Sequence, residues 1–260
     1  MFVLKPGITG MCGQPLAHAA LAKGHQVRGP GRNPGKLSKD LSATLKRFAK
    51  MTDIYDLAAL QKAVVEGELL LLRVAERAGV KGFHAVPWNY DWTGNRLGDH
   101  ETYDRYVSFC NHARASSTIK PIYGFTGTIL EWELVHSDRS SADNLAAYTT
   151  EAVSEPGEAD GGFYHVQSFR ALPLEMVDAH GRGRGVWLER QSLGSLSEIE
   201  DMFAPARAST PPSGHHEYIG LAYAKSMMNG TWDYETPDCE RWPGVKLTSF
   251  EQWLLDHPPA

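Results

Sequence analysis

The sequence predicts an α/β fold: a doubly wound parallel sheet with a small, mostly helical C-terminal cap that binds substrate. Three observations lead there. Over residues 1–127, short apolar runs alternate with helical periods of ten or more residues, which is the pattern of βαβ units. A glycine-spaced turn, "GITGMCG" at residues 7–13, separates the first apolar run from the first helical period. After Gly127 the alternation loosens, and helical stretches between turn-rich connectors take over.

The elements follow in order. "MFVL" reads as a strand, and residues 14–24 as a helix with Pro15 in its first turn and Gly24 as its stop. "HQVRG" is a second strand, "GRNPGKLSKDLSATLKRFAKM" a turn followed by a basic amphipathic helix, and Arg47–Met51 a weak strand. "DLAALQKAVV" and "ELLLLRVAERAGV" are helical, "KGFHAVPW" is a buried strand, and a helix runs from His100 to Ala115. "KPIYGFTG" is another strand. Beyond it, "NLAAYTTEAVS", "SLSEIEDMFAPA", "EYIGLAYAKSMMNG" and "TSFEQWLLDHP" are helical, the last capped by Thr248 or Ser249, and "GFYHVQSF" is strand-like. The division expected is a dinucleotide-binding domain over 1–130 and a substrate-binding cap region over 131–260, with some C-terminal segments packing back on the first domain.

Bulk properties narrow the function. At 260 residues the chain buries a sizeable core, and its formal charge of −5, with no long basic run, gives no reason to expect nucleic acid. No apolar run reaches the roughly 18 residues a membrane span needs. Three well-separated cysteines (Cys12, Cys110, Cys239) fit a reducing compartment, so a cytoplasmic protein is expected. The expected partner is a small-molecule substrate, and a homodimer is compatible with the sequence.

The glycine turn has the flanks that give such a pattern meaning, a strand before it and a helix after it. Gly7 permits a tight turn, Gly10 lets backbone amides of the Thr9–Met11–Cys12 stretch approach a diphosphate, and Gly13 lets the helix pack closely. The helix dipole favours an anion at that end. At the end of the second strand stand Arg28 and Arg32, with no carboxylate until Asp40. Guanidinium forks suit a 2′-phosphate, which favours NADP(H) over NAD; the alternative is that both arginines are solvated.

At this point a resemblance enters. "GITGMCG…LAKGHQVRGPGRNPGKL", "LLLLRVAERAGVKGFHAVPWNYDWT", "YVSFCNHARASSTIKPIYGFTG" and "MMNGTW" resemble the NmrA-like, isoflavone-reductase-like branch of the atypical short-chain dehydrogenases, in particular its fungal members. The likeness covers residues 1–127 well and the last hundred loosely. It implies a Rossmann-type sheet, NADP(H) held by the glycine turn, Arg32 and Pro87, and a small C-terminal substrate domain. The implied activity is NADP(H)-dependent reduction of a small aromatic or polyketide-derived metabolite in secondary metabolism. Some relatives bind the dinucleotide only to sense redox state. A non-redox isomerase, cyclase or lyase on the same fold is a third alternative.

The chain departs from that pattern in three ways. The Tyr-x-x-x-Lys pair is absent: Val107 follows Tyr103 at that spacing, and Cys110 follows Tyr106. The lysine usual on the helix over His100–Ala115 is also absent, since none occurs between Lys81 and Lys120. Third, "LQKAVVEGELLLL" runs helix into helix where a strand and its connections, roughly 10 to 18 residues, should lie between Val65 and Glu66. The stretch after Val135 is short by the same standard. Either a strand is lost or residues are missing at these points; the second is favoured, because losing a central strand leaves its neighbours unpaired.

Chemistry is expected beyond "FHAVPW", at the carboxyl edge of the sheet. In "NYDWTGNRLGDHETY", Tyr90 and Asp91 are an acid and its orienting partner, or Asp91 holds the loop closed through backbone amides. His112 on the following helix is a third proton-transfer candidate, against a surface role. Trp88, Asn89, Trp92, Tyr103 and Phe125 are candidates for an aromatic substrate pocket, against plain core packing. Asp99 reads as a helix N-cap. His215-His216-Glu217 lacks metal-ligand spacing, and Cys110 reads as a buried thiol.

Overall fold

A computed structural model describes residues 2–4, 7–10, 12–31, 33–50, 68–85, 88–129, 138–155, 161–189, 192, 194–234 and 238–257. β1 (Phe2–Leu4) leads into the glycine turn, where Gly7 reverses the chain with a φ of +70°. α1 (Gly13–Ala22) follows. A Cβ on Gly13 would lie 2.8 Å from both the carbonyl carbon and oxygen of Ile8, and closer still to the Gly7 oxygen. Only glycine lets the helix start so near the strand. β2 (Gln26–Gly31) and β3 (Arg47–Lys50) extend a parallel sheet in the order β1-β2-β3, with Val3 opposite Val27 and Arg28 opposite Arg47. Between them α2 (Lys39–Thr44) is shorter than the basic helix expected, after a single 3₁₀ turn at Pro34–Lys36.

Ile8, Ala17, Ala20, Val27 and Leu41 form the buried core of this layer. Ile8 also fills the space beside Gly29, whose Cβ would come within 2.6 Å of the isoleucine side chain. Among the described residues β1 is an edge of its sheet. The helix expected over 56–65, the junction at Val65–Glu66 and the stretch after Val135 lie outside the described residues, and the sequence runs on without a break across both points.

α3 (68–77) precedes the segment read as the strand "KGFHAVPW". Among its described residues that segment forms no continuous strand. It touches β4 (Ile122–Phe125) through isolated bridges, His84 to Ile122 and Asn89 to Phe125. The physical reason lies in the sequence: Pro87 carries no amide hydrogen to donate to a ladder. α4 (Asp104–Ser116) starts four residues later than expected, because residues 100–103 form turns. Asp99 is therefore not its N-cap. Its Oδ2 accepts from the Arg96 amide at 2.7 Å.

β4 pairs in parallel with β7 (Gly162–His165). Between them lie β5 (Thr128–Ile129), β6 (Asp138–Ser140) and α5 (Ala142–Ala152), whose N-cap Ser141 accepts from the Asn144 amide. β5, β6 and β8 (Phe169–Arg170) form a small mixed sheet that the sequence pattern did not indicate. α6 (Pro173–Arg184) was not expected either. It starts on Pro173 and ends at Gly185 in the left-handed region, but Gly181 and Gly183 dilute its helical period. α7 (Leu196–Ser209) opens with a Ser195–Glu198 capping box, and α8 (Ile219–Met228) and α9 (Phe250–Asp256) complete the helical C-terminal part, the last capped by Ser249.

α1 packs along α5, joining the two parallel sheets. Just after α1, Lys23 pairs with Glu151, and His25 Nε2 meets Ser154 Oγ at 2.9 Å. A second core, with Trp88, Ile122, Leu145, Tyr148, Tyr164 and Trp242, lies between β4, β7 and α5, and Cys12 of the glycine turn packs against it. The Trp88 ring covers Gly124, whose Cβ would lie 2.6 Å from two of its carbons and closer still to a third, and its Nε1 donates to Thr149 Oγ1 at 2.6 Å. Trp88→Phe loses both the bond and the second ring of the buried indole. A loss of about 2–3 kcal/mol is expected, about 1 from the bond and the rest from the cavity, read as a lower urea midpoint with an unchanged slope.

Candidate active site

The parallel order of β4 and β7 brings their carboxyl ends, Phe125 and His165, side by side in register. The loop after Asn89 turns back over this edge. Asn89 fixes it, since its amide donates to the Gly124 oxygen, its carbonyl accepts from the Thr126 amide, and its Oδ1 accepts from Tyr103 Oη at 2.8 Å. Two residues on, Asp91 Oδ2 lies 2.8 Å from His165 Nε2. Asp91 Oδ1 accepts from the Thr93 amide at 2.8 Å and from Thr93 Oγ1 at 2.6 Å. On the other side of the imidazole, Asp238 Oδ2 accepts from the His165 amide at 2.7 Å and stands 4.0 Å from Nδ1. Phe125 and Tyr234 pack on the ring, with centroids at 4.9 and 4.8 Å.

Burial pushes the Asp91 carboxyl up, but the hydrogen bonds from His165 and Thr93 outweigh it and hold the group below the usual carboxylate range. Asp91 is thus an acceptor near neutral pH, and its hydrogen bond to His165 needs a proton on Nε2. A partly exposed imidazole with one nitrogen anchored by a carboxylate is a proton-transfer arrangement.

The remaining sequence candidates are distributed differently. Tyr90 stacks on Trp232 at 4.4 Å, and its hydroxyl meets Met227 Sδ at 3.7 Å. Trp92 packs edge-on against Tyr123 and Phe125, each at 5.5 Å. Trp88, Trp92, Tyr103 and Phe125 are all buried. His112 faces outward on α4, 3.2 Å from Arg73 of α3, and does not join the Asp91 group. Next to the site, His100 is buried among Tyr103, Tyr223 and Trp232, and neither ring nitrogen has a hydrogen-bond partner among the described residues. Burial first, and then the nearby Arg207 and His215, bring it down to about 4, against the opposing pull of Glu101.

At the glycine turn, Gly7 and Gly10 are exposed and Thr9 is half-buried. The Gly10 amide donates to Gly7 O at 2.9 Å, and the Gly13 and Gln14 amides to Gly10 O at 3.0 and 3.4 Å. An anion would therefore meet the tip at Thr9–Gly10 and the positive end of α1 rather than those three amides. Met11, Arg32 and Pro87 lie outside the described residues.

His165 and Asp238 were missed in the sequence. His165 sits 74 residues from Asp91 in a strand-like run, and only the pairing of β7 with β4 brings the two together. A histidine closing a strand was the one signal.

No protein-family model matches the chain, and no curated protein matches it by sequence. Solved structures do. Isoflavone reductase superposes with a TM-score of 0.75 at 16% identity, over 98% of both chains. The chain has the Rossmann-type fold of these reductases. The leucoanthocyanidin reductase–NADPH complex from Vitis vinifera is similar with a TM-score of 0.73 at 13% identity, covering 98% of this chain and 99% of the other. An NADPH-dependent quinone oxidoreductase from Escherichia coli, complexed with NADPH, gives 0.70 at 15% identity with the same coverage. No helix among the described residues is long and apolar enough to cross a membrane.

Proposed function

We propose that the chain is an NADP(H)-dependent oxidoreductase acting on a small aromatic metabolite with a reducible carbonyl or quinone group. The observation that carries this reading is the glycine turn between β1 and α1, where Gly13 lies so close to Ile8 and Gly7 that no side chain fits. Thr9 and Gly10 at the tip would meet the diphosphate, with Arg28 and Arg32 toward a 2′-phosphate. Asp91 and His165 stand at the carboxyl edge, where open α/β folds bind ligands. The solved structures that share the fold include complexes with NADPH, and one with NADP⁺ and pinoresinol, which supports both the dinucleotide and an aromatic substrate. A bound reduced nicotinamide supplies hydride; the chain's own groups orient the substrate and handle the proton.

The division into a dinucleotide domain over 1–130 and a substrate region over 131–260 belongs to this proposal, with the β4–β7 edge where the two meet. A cytoplasmic place and a role in secondary metabolism belong to it as well.

Titration with NADPH and NADH, followed by nicotinamide fluorescence, tests the reading together with a panel of menadione, an aryl ketone and a phenolic enone. Saturable binding of NADPH, weaker binding of NADH and oxidation of NADPH by one of the panel are expected. The reading is abandoned if neither dinucleotide binds.

A further inference from the structure

Reduction of a carbonyl or quinone needs a proton as well as a hydride, and most acidic groups near the edge are poorly placed to give one. Tyr103 and Tyr106 are buried, which pushes both phenols up, and Tyr103 already donates to Asn89. His100 is buried and enclosed by aromatic rings. No lysine lies between Lys81 and Lys120. His165 differs from all of these: its side chain is 22% exposed, it ends β7 at the carboxyl edge, and one of its nitrogens is already fixed. Its neighbours Tyr164 and Val166 lie in the same apolar cluster that Cys12 of the glycine turn packs against, so turn and edge share one core.

We infer that His165 is the proton-transferring residue of this site, acting through Nδ1, and that Asp91 is its positioning partner. This assignment rests on the reductase reading above. Asp91, held ionised, can only accept, so Nε2 keeps its proton and Nδ1 is the nitrogen left to exchange with a substrate oxygen. As donor the ring carries a second proton on Nδ1. When hydride adds to the substrate carbon, the carbon–oxygen π pair moves to oxygen and takes that proton. The ring is left neutral, with its remaining proton still bonded to Asp91, and it regains the other from water on its exposed side. A bound reduced nicotinamide would supply that hydride, and the carbonyl would become a hydroxyl. Asp238, 4.0 Å from Nδ1 and bonded to the backbone amide, steadies the charged ring from the side where the proton leaves. The substrate this step fits is one whose carbonyl becomes an alcohol: a ketone or the carbonyl of an enone.

Thr93 makes the assignment testable without turnover. Its amide and hydroxyl both donate to Asp91 Oδ1. In Asp91→Asn the amide oxygen stays with those donors, which turns the NH₂ toward His165 Nε2 and forces that nitrogen to accept. The proton moves to Nδ1, the wrong-tautomer outcome of such a change in a catalytic triad. Long-range ¹⁵N–¹H spectra at alkaline pH, with the His165 signals identified by their loss in His165→Gln, read this directly. The wild type should show the Nε2–H form and Asp91→Asn the Nδ1–H form. With the panel compound that the wild type reduces, both variants should lose roughly a hundredfold or more in kcat, with NADPH affinity within twofold of wild type.

An Nδ1–H wild type, an unchanged tautomer in Asp91→Asn, or full kcat in His165→Gln would each overturn the assignment. A wild type that shows the expected tautomers but neither binds NADPH nor reduces any of the panel would instead overturn the reductase reading, and the catalytic role with it.

Discussion

Gly13→Ala is expected to lower the melting temperature by about 2–12 °C and to abolish detectable NADPH binding. The added Cβ would meet three backbone atoms, the Gly7 oxygen and the carbonyl carbon and oxygen of Ile8. Backbone cannot swing aside as a flexible side chain can. Either α1 withdraws from β1 or Gly7 leaves its left-handed conformation, and both break the turn. Overpacking of this kind costs about 1–3 kcal/mol, and each kcal/mol moves the midpoint by roughly 2–4 °C in a chain of this size. Thermal melts beside a fluorescence titration check both halves. Gly24→Ala is the control. Gly24 has a φ of +77° but open space around its Cβ position, so strain alone should cost about 1 kcal/mol and leave NADPH binding in place.

Acid should destabilise the wild type through His100, and His100→Phe should remove that share of the loss. The ring is buried, and its pKa falls from 6.5 to about 4 in the folded protein. Because the folded value is depressed, the unfolded chain binds the proton first. The contribution of this group is complete above pH 6.5, declines as pH falls through the window, and is lost below about 4. Over that span the cost reaches about 3 kcal/mol, at ~1.4 kcal/mol for each tenfold difference in proton affinity. The charges that face the ring belong to Glu101, Arg207 and His215, while Tyr103, Tyr223 and Trp232 enclose it. Phenylalanine fills the same aromatic space with nothing to protonate. Urea denaturation at pH 7.5 and 4.5 should show a large drop in the wild type and a drop about 2.5 kcal/mol smaller in the variant. Equal drops would assign the acid sensitivity to carboxylates such as Asp91.

The N-terminal layer was legible in the sequence because its signals are local. β1, the glycine turn, α1, β2 and β3 each announce themselves within a dozen residues, and strand pairing follows chain order. Elsewhere local signals misled. The helical period of "HETYDRYVSF" begins at His100, but residues 100–103 turn inward to place His100 and Tyr103 in the aromatic cluster, and regular helix starts only at Asp104. "KGFHAVPW" has the hydrophobicity of a strand and lacks the amide it would need at Pro87. Asp91 could be picked out because it follows an apolar, strand-like run. His165 could not, because its value as a site residue comes from a partner across the β4–β7 pairing.

Ile8 and Gly29 share one parcel of space, the isoleucine branch occupying the volume that a side chain on the neighbouring strand would fill. Neither position can drift alone. Enlarging residue 29 demands shrinking residue 8, so the double exchange Ile8→Ala with Gly29→Ala should be better tolerated than Gly29→Ala by itself, and the pair constrain each other as compensating partners beneath the turn.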